Sequence, residues 1–129
     1  MYDVYKPAME HFQGQAYLAE SPVEVLRRSD FVFLSLPKSE VVEDTVHAFV
    51  QEGVKDKMII DTSTSYPIST KKLYEEVKAA GGAFVAAPLM AGPDEAAAGT
   101  LDIVVGGDKE DYEKAAELFD AYCQAYKYV

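Results

Sequence analysis

Phe31-Val32-Phe33-Leu34-Ser35-Leu36-Pro37 is an almost uninterrupted apolar run stopped by a proline. Such runs suit strands covered on both faces, as in parallel sheets. Two further stretches have the same form. Met58-Ile59-Ile60 runs into Asp61-Thr62-Ser63-Thr64, and Ala83-Phe84-Val85-Ala86-Ala87 halts at Pro88. Helical spacing fills the gaps between them. Ser39 is read as the cap of a helix that places Val42, Val46 and Phe49 on one face and ends near Gly53. Ser65-Tyr66-Pro67 leads into a second helix through Leu73 and Val77, closed by Gly81-Gly82.

Working outward, the pattern continues at both ends. Ser21-Pro22 reads as an N-cap followed by proline at the first helical position, with Glu24 placed for a capping box. Upstream, Tyr2 to Tyr5 and Gln15 to Leu18 are brief strand candidates, separated by a helical stretch from Pro7 to about Phe12. Downstream, Pro93 to Gly99 is a loop with one alanine-rich helical turn, and Leu101 to Val105 is a strand. Gly106-Gly107 then turns the chain into a last helix carrying Tyr112, Ala115, Ala116 and Phe119, and Tyr126 to Val129 forms a final edge strand. Alternating strands and helices with short connections predict an α/β fold with a mostly parallel sheet and helices on both faces. The 129 residues suit one domain spanning 1–129, and no repeat or linker divides them.

Composition narrows the function. Twelve Lys and Arg stand against 22 Asp and Glu, a net charge of −10, which argues against nucleic acid or an anionic membrane surface as a partner. No apolar run approaches the roughly 20 residues needed to span a bilayer, and the N-terminus has no secretory pattern, so a cytoplasmic location is expected. Cys123, the only cysteine, is expected to pack rather than react, near the end of a helical pattern. His11 and His47 have no second ligand at metal spacing, and no G-x-S-x-G elbow is present. Lys71-Lys72 is a solvated helix pair. Tyr122, Tyr126 and Tyr128 are expected to pack the last helix and strand.

In open parallel sheets, ligands bind beyond the carboxyl ends of the strands. Those ends are Ser35-Leu36-Pro37, Asp61-Thr62-Ser63-Thr64 and Ala87-Pro88-Leu89-Met90-Ala91-Gly92. Their small hydroxyl residues and prolines would let a flat ligand approach the backbone; the same hydroxyls would equally serve to cap the helices that follow. Taken with Pro67, Ala98-Gly99-Thr100-Leu101 and Val105-Gly106-Gly107, the order and spacing of these motifs resemble the β-hydroxyacid dehydrogenase family. That family includes 3-hydroxyisobutyrate dehydrogenase, tartronate semialdehyde reductase and the cofactor domain of 6-phosphogluconate dehydrogenase, and the resemblance covers essentially the whole chain.

The resemblance implies a Rossmann-like NAD(P)-binding domain lacking the first β-α unit. The family opens with a strand, a GxGxxG turn and a helix that hold the cofactor pyrophosphate, and nothing in this sequence matches GxGxxG. Asp3 falls where the family places its ribose-contacting residue. An acid there leans toward NAD over NADP, the alternative being a merely exposed side chain near the terminus. Leu36 and Pro37 are assigned to the cofactor wall, Ser63 and Thr64 to the nicotinamide ribose, and Met90, Ala91 and Gly92 to the substrate-anchoring segment. That segment departs from the family's D-A-P-V-S-G-G: Ala86 replaces the aspartate, Ala91 the first glycine, and Met90 the serine that helps to hold a substrate carboxylate. Methionine offers a carboxylate no donor.

No lysine here matches the family's catalytic lysine, so no catalytic residue is assigned. The expectation is a partial cofactor domain, truncated at both ends relative to the family, inactive alone and binding NAD or NADP weakly. A small hydroxyacid would be a substrate only of a full-length parent. The alternative is a non-catalytic interaction module whose open sheet edge recruits a missing domain or a second copy. A receiver-like signalling domain would need an acid pair after its first strand and a lysine after its last parallel strand, and neither is found.

Overall fold

The computed structural model describes residues 1–129. Three strands form one parallel sheet: β1 (Phe31–Leu34), β2 (Met58–Asp61) and β3 (Ala83–Ala86), in the order β1-β2-β3. The register pairs Phe31 with Met58 and Met58 with Ala83. Two more, β4 (Leu101–Val105) and β5 (Cys123–Tyr128), form a second parallel pair. Isolated antiparallel bridges from Ala86 to Gly106 and from Leu89 to Ile103 join the two. The helices are α1 (Lys6–Glu10), α2 (Pro22–Arg27), α3 (Ser39–Glu52), α4 (Pro67–Ala79), α5 (Pro93–Ala98) and α6 (Lys109–Phe119).

Strand alternation divides the apolar residues between two cores. Val32, Leu34, Ile59 and Phe84 point to one face, where α2, α3 and α4 cover them with Leu26, Val42, Val46, Phe49, Leu73 and Val77. Met58, Ile60 and Val85 point to the other, packed with Leu101, Ile103, Val105, Ala115 and Phe119. Every residue of β2 is therefore buried, as expected for a central parallel strand.

Strand β1 departs from that expectation. Val32 and Leu34 are buried, but Phe31 and Phe33 remain 40% and 42% exposed. β1 is the edge of its sheet, and α6 packs chiefly over β3 and β5. A continuous apolar run thus marks a strand covered on only one face.

Several local expectations also change. Tyr2–Tyr5 and Gln15–Leu18 are not strands; the second segment shows only a lone bridge between Gln13 and Ala16. Neither has a neighbouring strand to satisfy its backbone, and β-propensity alone does not make a ladder. Ser39 is not a cap. Lys38 takes that place, and Ser39 is buried in the first turn, where its Oγ accepts the Tyr66 N–H at 2.9 Å. Cys123 opens β5, which starts three residues before the expected strand. The capping at Ser21 holds: its Oγ accepts the Glu24 N–H at 3.1 Å, while Glu24 reaches back to the Glu20 N–H at 2.7 Å, one residue beyond the usual reciprocal partner. The tyrosines pack as expected, with Tyr112 and Phe119 stacked among Tyr122, Tyr126 and Tyr128.

Gly107 fixes the turn from β4 into α6. Its φ is +137°, and a Cβ placed there would stand 3.0 Å from the Phe84 carbonyl oxygen. Gly107→Ala is expected to destabilise the chain by roughly 1–3 kcal/mol through backbone strain and this contact. Urea unfolding checks it; an unchanged midpoint would mean that the turn relaxes freely.

Candidate functional site

Three parallel strands bring their carboxyl ends to one side of the sheet, and the segments that follow are tied together by hydrogen bonds. The Thr62 N–H and Oγ1–H both donate to the Leu34 carbonyl, at 2.8 and 2.7 Å. The Leu36 N–H donates to Ser63 Oγ at 2.9 Å. The Leu89 N–H reaches the Thr62 carbonyl at 3.4 Å, and the Met90 N–H reaches that of Asp102 at 3.2 Å. Leu36 and Ser63, assigned to the cofactor from sequence, are therefore in direct contact. Ser63 is buried, Leu36 half-buried, and Pro37 and Thr64 exposed beside them.

Ser63 is chemically well placed. Its oxygen accepts from Leu36, and both its side chain and its backbone N–H bond to the Asp61 carboxylate. Asp61 shapes this loop from beneath. Its carboxylate, 2% exposed, accepts the Ser63 N–H at 3.0 Å and the Ser65 hydroxyl at 3.2 Å. Burial pushes the Asp61 carboxyl above its ordinary value, and the hydrogen bonds from Ser63 and Ser65 pull it only partly back. No role was assigned to Asp61 from sequence. The available signal was an acid closing an apolar strand and followed at once by hydroxyls, the pattern of a carboxylate that organises the turn after it.

Asp3 bonds within its own segment: its Oδ1 accepts the Tyr5 N–H at 2.8 Å, and its own N–H points at Met9 Sδ at 3.1 Å. No hydrogen bond joins it to the Leu36 or Ser63 segments. Met90, Ala91 and Gly92 lie exposed between β3 and α5. The Gly92 N–H is held by Glu95 Oε2 at 3.0 Å, an interaction that also opens α5.

A cleft of about 410 Å³ lies where these ends converge. Ser35, Thr62 and Leu89 each contribute from the segment after one strand, and Phe33, Leu101, Leu118 and Tyr122 supply the apolar wall. Phe33 and Tyr122 meet edge to face, with centroids 5.8 Å apart. Leu89, Leu101 and Tyr122 carry no chemical signature in the sequence, and only the fold gathers them here. A second cleft of about 470 Å³ runs along the first turns of α4, beside Gly106 and Gly107. Neither cleft is lined by a residue singled out for cofactor or substrate. No cluster of His, Cys, Asp and Glu could hold a metal, and no helix is long and apolar enough to cross a membrane.

Residues 1–129 match a family model described as the NAD binding domain of 6-phosphogluconate dehydrogenase. The chain is 33% identical over 108 residues to 2-hydroxy-3-oxopropionate reductase of Escherichia coli (strain K12), covering 81% of this chain and 37% of that protein. It is 32% identical over 122 residues to mitochondrial 3-hydroxyisobutyrate dehydrogenase of Drosophila melanogaster, covering 93% and 38%. The chain thus spans less than two-fifths of these relatives. Mycobacterium tuberculosis 3-hydroxyisobutyrate dehydrogenase, solved with L-serine, superposes with a TM-score of 0.92 at 23% identity over 98% of this chain and 44% of that one, a likeness of fold. The Rossmann-like expectation is borne out.

The raised Asp61 carboxyl carries a pH signature. The folded chain holds this proton more tightly than the unfolded chain does, so the associated stability is full below the ordinary value of 3.8 and is lost as pH rises through the folded value. Asp61→Asn is isosteric and does not titrate. Its stability relative to the parent is expected to improve between about pH 3 and about pH 7. Urea unfolding across that range tests it, and parallel pH profiles for the two proteins would contradict the assignment.

Proposed function

This chain belongs to the family of NAD-binding domains of 6-phosphogluconate dehydrogenase, and we propose that its strand-end surface holds the nicotinamide half of a dinucleotide for an oxidoreductase. The observation that carries this reading is the Leu36–Ser63 hydrogen bond. It joins two segments into one small-residue ledge. Leu36 and Pro37 form the wall of that ledge, while Ser63 and Thr64 lie along the nicotinamide ribose, with Thr64 the exposed hydroxyl of the two. Asp3 keeps one carboxylate oxygen free for ribose hydroxyls, which favours NAD over NADP. When bound, the nicotinamide gives a hydride to a substrate carbon or takes one from it. The chain's own residues bind and orient, and none is assigned a catalytic role.

With no GxGxxG among these residues, the pyrophosphate lacks its backbone cradle. The isolated chain is accordingly inactive and binds the dinucleotide weakly. Titrating NADH into isotope-labelled chain is expected to shift the Leu36, Ser63 and Thr64 amide signals with low affinity, and NADPH to bind more weakly still. Ser63→Ala should weaken NADH by about 5- to 10-fold, the worth of one net hydrogen bond. Tight binding, or shifts confined to other residues, would refute the assignment.

A second reading is favoured by the free edge of β1 and the exposure of Phe31 and Phe33. An unpaired parallel strand with an apolar face invites pairing with another chain. On this reading the chain assembles through β1, and size-exclusion chromatography should show a species that grows with protein concentration. A monomer at every concentration, with a sharp melting transition, would remove it.

A further inference from the structure

Asp61 is a buried charge without a counterion. It closes the central strand at 2% exposure, and no salt bridge reaches it. Burial raises its carboxyl, and only hydrogen bonds from Ser63 and Ser65 oppose that, with no charged neighbour taking part. The surrounding elements explain this. β1 and β3 bring Leu34 and Ala86 alongside it in register. The charged side chains at the starts of α3 and α4, Lys38, Glu40, Lys71 and Lys72, are exposed. Asp108, before α6, is engaged by Tyr74 and Lys78.

The turn after β2 does not by itself require this charge. A neutral asparagine oxygen could accept the Ser63 N–H and the Ser65 hydroxyl in the same way, and a buried carboxylate without a cation is destabilising. The charge therefore needs another reason. The Ser63 N–H lies 3.0 Å from Asp61 Oδ1, and Ser63 Oγ meets the Leu36 N–H at 2.9 Å. The carboxylate thus stands one residue beneath the ledge assigned to the nicotinamide half. The oxidised nicotinamide ring is cationic and the reduced ring is neutral, so a fixed negative charge beneath them acts on the two unequally.

We infer that Asp61 biases this ledge toward the oxidised, cationic form of the dinucleotide. The inference rests on the cofactor reading above and concerns which redox form is favoured, not whether a dinucleotide is held. Asp61 is a positioning residue that acts through Ser63 and across it by its charge. The exposed acids of the chain also attract a cation, but salt screens them far more than it screens a buried carboxylate.

NAD+ and NADH are titrated separately into the isotope-labelled chain at about pH 8 in about 0.5 M NaCl, so that carboxylates are ionised and the exposed ones are screened. The Leu36, Ser63 and Thr64 amides are followed. The quantity read is the dissociation constant of NADH divided by that of NAD+. Asp61→Asn keeps the shape and removes the charge, and is expected to lower this ratio by at least about threefold. Ser63→Ala keeps the charge and removes one hydrogen bond, so it should weaken both forms and leave the ratio unchanged. Loss of loop geometry alone would likewise weaken both forms together. If Asp61→Asn does not fold, Asp61→Ser, neutral and smaller, takes its place. An unchanged or raised ratio in the neutral variant overturns the inference while the cofactor reading stands. If neither dinucleotide moves these amides in the parent chain, the cofactor reading fails and the inference falls with it.

Discussion

Strand β2 is buried along its whole length, and the other elements take their positions from it. It pairs with β1 on one side and β3 on the other. Ile59 enters one core, Met58 and Ile60 the other. A strand in this position has no face on which to keep a polar side chain, yet it ends in Asp61. The carboxylate is tolerated because the chain turns there and at once supplies the Ser63 N–H and the Ser65 hydroxyl as donors. The central strand and the organised loop beyond it are thus one construction. What keeps the sheet together also sets the geometry of the ledge above it.

Much of this was legible in the sequence. The runs at Phe31–Leu34, Met58–Asp61 and Ala83–Ala86 identify the three-stranded sheet because parallel strands need nearly continuous apolar residues. The long helices follow from their spacing and their terminal glycines. The errors have a common origin. Tyr2–Tyr5 and Gln15–Leu18 have the composition of strands, but pairing depends on neighbours that composition does not reveal. Ser39 resembled a cap because a serine before a helical pattern usually is one; its hydroxyl instead serves the entrance to α4, 27 residues downstream.

The candidate site divides in the same way. Leu36 and Ser63 stand out because hydroxyls and prolines at strand ends are unusual, and the fold brings them into contact. The apolar wall was not legible. Leu101 and Tyr122 look like ordinary core residues, and only the return of β4 and α6 past the strand ends gives them a cleft to line. Asp3 stays within a local turn, since nothing in that segment links it to the sheet.

The segment from Leu89 to Gly92 is fastened mainly through its backbone. Its ties run from N–H groups to the carbonyls of Thr62 and Asp102, with a bridge from Leu89 to Ile103. Such fastening is indifferent to side-chain identity. Met90, 63% exposed and carrying no structural duty of its own, occupies a position where residues can be exchanged over generations without loosening the fold. A lineage could therefore change what this segment presents while the scaffold beneath stays the same.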